Sequence, residues 1–223
     1  MNHLIGATLL ASLVILLLGY FLGCLNGSVM VSHFIIKDDV RQHGSGNAGL
    51  TNFYRTYGAK YALGVILFDM GKTVIACLIG GAAFDYLVGD WMLGVLLGGL
   101  GCELGHMFPV FFGFKGGKGV ASMFGVTTAM SPISVPILAV PFFITLSVSK
   151  MVSLSSIISA ACVPVVTFVI YRFLPFLNPP LLRGDWKIPT VCTAIIAILV
   201  IFMHRSNIER IKKGEERKIG SKK

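Results

Sequence analysis

The opening run of the chain, Leu4 to Ile36, carries 33 residues without one Asp, Glu, Lys or Arg. As continuous helix it is about 50 Å long at 1.5 Å per residue, well beyond the roughly 30 Å hydrocarbon core of a bilayer. Such a helix has to tilt, bend or protrude. Asn26-Gly27-Ser28 is the natural bend, because a Gly/Ser pair weakens helix rigidity. Apolar runs follow at about Lys60 to Phe84, Trp91 to Phe108, Val120 to Ser131, Ile133 to Val148, Val152 to Phe173 and Ile188 to Met203. With 55% apolar and 13% charged residues, the pattern predicts an all-α polytopic membrane bundle of about seven transmembrane helices. Only short connections remain, so residues 1–223 read as a single integral membrane domain that supplies both fold and site. The fourth and fifth runs, divided at Met130-Ser131-Pro132, also fit one kinked segment, which gives five spans. Both counts are odd, so both put the termini on opposite sides.

Lysine and arginine set the orientation. In the seven-span arrangement one face collects Lys37, Arg41, Arg55, Lys60, Lys115, Lys118, Lys150 and the basic residues of the tail from about residue 205. The other face holds Arg172, Arg183 and Lys187. The positive-inside rule then puts the N-terminus outside and the C-terminus in the cytoplasm. Three polar segments, Gly44 to Arg55, Phe114 to Ser122 and His204 to Glu216, converge on that cytoplasmic face. Polar chemistry belongs there, since unpaired polar groups are costly in hydrocarbon. Much of the net charge of +9 lies in the tail, and Lys218, Lys222 and Lys223 suit contact with anionic head groups. Charge tied to spans in this way argues against nucleic acid as a partner.

Some patterns mislead. Gly44-Ser45-Gly46-Asn47-Ala48-Gly49 fits GxGxxG, but a dinucleotide site needs a preceding strand and a βαβ unit, and here a charged turn comes first. The glycine-lysine segment lacks the leading glycine of a P-loop. His33 and Asp38 match the HxxxxD spacing of many acyltransferases, a match we read as accidental at the end of a long apolar helix. Cys24, Cys77, Cys102, Cys162 and Cys192 all sit in apolar runs, with no metal or disulfide spacing, and read as packing residues.

The remaining candidates suit phosphate. Backbone N–H groups of Gly116, Gly117 and Gly119 are open to an anion because no Cβ obstructs them, and they lead into a helix N-terminus. Lys115 and Lys118 add full charges. In the first segment Ser45, Gly46, Asn47, Thr51 and Asn52 offer hydrogen bonds and close approach, and Arg55 suits a bidentate grip on phosphate. Plainer readings stay open: Asn52 also suits a helix cap and Ser45 a turn. Glu103 with His106, and Asp69 with Lys72, are ionisable pairs inside apolar runs, equally suited to support and to chemistry.

GSGNAGLTN, GHMFPVFFGFKGGKGVAS, VSLSSI and HRSNIERIKKGEE, in this order from Tyr20 to Glu216, resemble the signatures of the bacterial membrane glycerol-3-phosphate acyltransferases that use acyl-phosphate. The FDMGK stretch at Phe68 to Lys72 resembles the family's second helix. Leu50 stands where the family usually has alanine, and the Phe173 to Lys187 segment is longer than usual. The resemblance implies transfer of an acyl chain from acyl-phosphate to the 1-hydroxyl of sn-glycerol 3-phosphate, giving lysophosphatidate and phosphate at the cytoplasmic face of the bacterial inner membrane. It implies no cofactor and no metal, and leaves room for a soluble acyl-phosphate-forming enzyme as partner. Ser45, Lys118, His204 and Asn207 are then the catalytic candidates. Gly46, Asn47, Thr51, Asn52, Arg55, Gly116, Gly117, Gly119 and Ser156 are the substrate-binding candidates. The proton acceptor is left open between His204 and a substrate phosphate. An organic-phosphate transporter is the competing class, though no internal repeat supports it, and a phosphatidyltransferase lacks its cluster of magnesium-binding aspartates.

Overall fold

A computed structural model describes residues 2–220, with helices and no β-strand among the described residues. Lys222 and Lys223, assigned above to lipid contact, lie outside the described residues. The chain forms two compact units, Met1–Met130 and Ser131–Lys223.

The first unit contains α1 (Asn2–Gly23), α2 (Gly27–Met30), α3 (Leu50–Tyr57), α4 (Ala59–Val88), α5 (Trp91–Met107) and α6 (Val120–Met130). The long first run breaks where the Asn-Gly-Ser triplet indicates. Helix α1 stops at Gly23, and Asn26 restarts the helix by accepting the Val29 N–H at 3.1 Å on its side chain. From α2 the chain continues as π-helical turns over Val31–Ile36 and ends at Lys37 in the left-handed region, φ 64°. Such turns are rare and concentrate at functional sites.

Helix α5 is the centre of this unit, packed against α1, α4 and α6. Lipid is as apolar as leucine, so membrane helices associate through close packing of small residues rather than through hydrophobic burial. The glycines of α5 supply this on two faces. A Cβ on Gly94 or Gly98 would strike the backbone of Gly80 or Ala76 in α4, and one on Gly101 or Gly105 would strike Leu16 or Tyr20 in α1. Without side chains at these positions the backbones meet directly.

The second unit contains α7 (Ser134–Ser149), α8 (Val152–Phe173), α9 (Lys187–Met203) and α10 (Arg205–Lys212). Helix α8 packs against both α7 and α9, and Ser159 Oγ donates to the Leu138 carbonyl at 3.2 Å to tie α8 to α7. The Phe173 to Lys187 connection holds two short 3-10 turns, Pro175–Leu177 and Pro180–Leu182. Helices α9 and α10 meet at His204 with a 57° bend.

All seven apolar runs are helical, and the Met130-Ser131-Pro132 junction separates α6 from α7 rather than kinking one helix. By length and composition four segments suit a membrane crossing: Ile5–Ile36, Ala59–Val88, Trp91–Phe112 and Val152–Phe173. The bent pair α9 and α10 makes a fifth. Helices α6 and α7, 11 and 16 residues long, fall short of that length. All five cysteines are free, and Cys24, Cys77 and Cys102 are buried, in line with packing roles.

Candidate functional site

The stretch leading into the first polar segment is organised by local ion pairs. Asp39 starts the short 3-10 turn at Val40–Gln42 and holds Arg41 through Nε at 3.0 Å and Nη2 at 2.8 Å. The pairing lowers the Asp39 pKa and raises that of Arg41. Asp38 accepts from Tyr57 Oη at 3.0 Å and pairs with His43 Nε2 at 2.8 Å. The bond to His43 leads the causes that lower its pKa. Burial, then the bond to Asp38, pushes Tyr57 up to about 12. Asp38 is thus engaged by His43 and Tyr57.

Asn52 is the hinge pin of this loop. Its Nδ2 donates to the carbonyls of Val40 and His43, both at 3.0 Å, and its Oδ1 accepts the Ser45 N–H at 2.9 Å. The chain closes around it because Gly44 and Gly46 adopt φ of +60° and +70°, and a Cβ at Gly44 would strike the Asn52 carboxamide. Asn26 ties the loop to the broken first helix by donating Nδ2 to the Ala48 carbonyl at 3.0 Å. Ser45, Gly46 and Arg55 are exposed, with Asn47 and Thr51 half-buried beside them. Leu50, the departure from alanine, packs against the small core of Val40, Phe53, Ala62 and Val65, so it serves the fold.

The glycine-lysine loop corrects one expectation. The N–H groups of Gly116 and Gly117 do not wait for an anion: they donate to the carbonyls of Met107 at 3.2 Å and His106 at 3.0 Å, satisfying the end of α5. Packing also dictates the glycines. A Cβ on Gly117 would enter the His106 ring, and one on Gly119 would meet the buried Glu103 carboxylate. Gly119, at φ +86°, and the half-buried Lys118 lead directly into the first turn of α6. First-turn N–H groups lack intrahelical acceptors and favour an anion.

The two loops adjoin. Asn47 Nδ2 donates to the Gly116 carbonyl at 3.4 Å, and Arg41 Nη1 donates to the Phe112 carbonyl at 3.2 Å with its guanidinium over the Phe112 ring. Within the first unit, then, Asn47 of the first polar segment and Arg41 ahead of it both reach the backbone of residues 112–116.

The other candidates lie in the second unit. Ser156 is buried and donates to the Val152 carbonyl at 2.9 Å. His204, 4% exposed, sits at the bend with Nδ1 2.7 Å from the Val200 carbonyl. A carbonyl only accepts, so Nδ1 carries the proton and the neutral ring has its lone pair on Nε2. Asn207 donates to Glu216 Oε1 at 2.8 Å. Glu216 is a hub that sequence reasoning missed, for Ser153 Oγ reaches Oε1 at 2.7 Å and Arg210 Nε reaches Oε2 at 2.8 Å. Burial alone would raise the Glu216 pKa, but these three donors outweigh it and hold the carboxyl below its ordinary value. The signal was present, an acid closing a basic motif six residues after Arg210. The tail continues to Ile219, whose N–H donates to the Lys150 carbonyl at 2.7 Å.

Comparison with known proteins agrees with these motifs. The profile of the glycerol-3-phosphate acyltransferase family matches residues 13–214. The chain belongs to that family. A glycerol-3-phosphate acyltransferase from Finegoldia magna is 37% identical, the match covering 90% of this chain and 92% of the relative. One from Exiguobacterium sibiricum is 42% identical over 92% of each. Among solved structures, PlsY (YgiH), described as an integral membrane glycerol 3-phosphate acyltransferase in its glycerol 3-phosphate form, superposes with a TM-score of 0.75. It is 32% identical, with 94% of this chain and 96% of that one covered. A lysophosphatidic acid form of the same acyltransferase gives 0.73. The family resemblance read from the four ordered motifs is thereby confirmed.

Proposed function

We propose that this protein moves an acyl chain from acyl-phosphate to the 1-hydroxyl of sn-glycerol 3-phosphate, releasing lysophosphatidate and inorganic phosphate, the first acylation of phospholipid synthesis. The observation that supports this reading is the hydrogen bond from Asn47 to the Gly116 carbonyl, which brings the first polar segment against the glycine-lysine loop. The solved relative's glycerol 3-phosphate and lysophosphatidic acid forms support an acceptor and a product of this kind.

Acyl-phosphate is a mixed anhydride with a good leaving group, so positioning and charge stabilisation are the main demands. The acceptor hydroxyl oxygen attacks the acyl carbon, the bond from that carbon to the phosphate oxygen breaks, and the electron pair leaves with phosphate. Lys118 and the first turn of α6 hold the departing phosphate. Arg55, with Ser45 and Asn47, holds the acceptor phosphate or the reacting carbonyl, and Gly46 and Thr51 complete that face. Asn52, Gly116, Gly117 and Gly119 act by shaping the two loops.

His204, Asn207 and Ser156 are the second unit's own candidates for work on the substrates. The hydroxyl proton goes to His204 Nε2 or to a substrate phosphate. The chain crosses the bacterial inner membrane an odd number of times, by seven spans or by five, N-terminus outside, with the chemistry at the cytoplasmic face and a soluble enzyme delivering acyl-phosphate. The test is purified protein in detergent given acyl-phosphate and glycerol 3-phosphate, with both products followed. Lysophosphatidate and phosphate should form together. Phosphate release without acceptor would mean hydrolysis, and folded protein without turnover would favour transport.

A further inference from the structure

Three ionisable side chains deep in the first unit take no part in the site described above: Asp69 and Lys72 of α4 and His106 of α5, exposed by 2%, 7% and 3%. Lys72 Nζ lies 2.9 Å from Asp69 Oδ1, 3.0 Å from the Gly23 carbonyl, 2.8 Å from the Leu25 carbonyl and 3.1 Å from His106 Nδ1. An ammonium has three protons, and the carboxylate and the two carbonyls are its nearest acceptors. His106 Nδ1 is then left to donate toward Asp69 Oδ1 at 3.4 Å, which puts the ring's lone pair on Nε2, the atom beside Gly117. Removing one partner of a buried ion pair leaves the other charge uncompensated, so losing any one of the three disturbs what the others hold.

Both polar loops hang from this cluster. On one side Lys72 satisfies the carbonyls freed by the break in the first helix, and Asp69 Oδ1 accepts the Gly27 N–H at 3.0 Å at the start of α2. The residue between them, Asn26, is the one that ties down Ala48. On the other side the His106 carbonyl accepts the Gly117 N–H at 3.0 Å, and its ring fills the space that a Cβ on Gly117 would need.

We propose that Asp69, Lys72 and His106 are positioning residues that fix the first loop and the glycine-lysine loop in mutual register, so that groups more than sixty residues apart in sequence act on one substrate pair. This rests on the acyl-transfer reading for its catalytic consequence, but not for its structural one.

The test compares full-length wild type with the charge-neutral double variant Asp69→Asn/Lys72→Met, with Lys72→Arg and with His106→Gln, by hydrogen exchange, thermal melting and steady-state kinetics. The double variant should melt cooperatively. Its exchange over residues 40–49 and 114–119 should be at least about tenfold faster while that of residues 80–88 is unchanged, with kcat down and KM for glycerol 3-phosphate up. Lys72→Arg, which keeps a cation with several donors, should restore most of both. His106→Gln should loosen 114–119 alone. Wild-type exchange in both loops of the double variant, or faster exchange spread evenly over the unit, would overturn the proposal. Should the double variant fail to fold, unchanged exchange of 114–119 in His106→Gln would do so. Wild-type protein without acyl transfer would sink the functional reading and leave the exchange result to stand or fall alone.

Discussion

Replacing Asn52 with alanine asks whether this side chain serves the loop or the substrate. It makes three hydrogen bonds to loop backbone at 2.9–3.0 Å while 5% exposed. At about 1 kcal/mol net for each, Asn52→Ala should weaken the closed loop by about 3 kcal/mol, close to a hundredfold in its opening equilibrium. Hydrogen exchange reads this directly. The Gly46 N–H, which donates to the His43 carbonyl at 3.0 Å and not to Asn52 itself, should exchange up to about a hundredfold faster. Acyl transfer should fall with it, with the helices keeping their protection. Asn52→Asp should be no better, since it retains the acceptor for Ser45 N–H but brings an anion to the Val40 and His43 carbonyls that now receive protons. Lost activity with unchanged Gly46 exchange would refute the reasoning and put Asn52 in contact with substrate.

Other outcomes follow from the same geometry. Lys118→Ala and Arg55→Ala should each lower kcat/KM by about a hundredfold or more in a bundle that still folds, as loss of a charge acting on a phosphoryl group does; near-normal turnover in both would discard the phosphate assignments. Gly105→Val, which drives a branched side chain into the Tyr20 backbone of α1, should abolish a monodisperse bundle on size-exclusion chromatography, whereas Gly64→Ala, facing open space, should leave it intact. Glu216 has a lowered folded pKa, so its contribution to stability is complete above its unfolded value near 4.5 and is lost as pH falls through the folded value. The melting temperature of wild type should therefore drop more steeply below about pH 4.5 than that of Glu216→Gln, which should be less stable than wild type at pH 7; parallel curves would count against the hub.

Some of this was legible from residues alone, for identifiable reasons. The helical runs and the break at Asn26-Gly27-Ser28 follow from local composition and chain geometry. Gly116 and Gly117 show the limit. A glycine that admits an anion and one that admits a neighbouring ring look alike in sequence, and only the placement of His106 in the fold separates them. Asn52 was ambiguous for the same reason, because its partners Val40, His43 and Ser45 are set by a loop whose closure depends on two left-handed glycines. The glycine rows of α5 were hidden too, since which face meets α1 and which meets α4 is a fact of packing and not of period. Glu216 escaped attention because charge patterning reads the tail as basic, while its three donors come from α8 and α10.

The choice between activated acyl donors tests the acyl-transfer chemistry most directly. Offered palmitoyl-phosphate or palmitoyl-CoA side by side with glycerol 3-phosphate, it should form lysophosphatidate from the acyl-phosphate alone, with one phosphate released per product and none without acceptor. Product from the thioester, or none from the acyl-phosphate with folded protein, would contradict a site built to grip two phosphoryl groups.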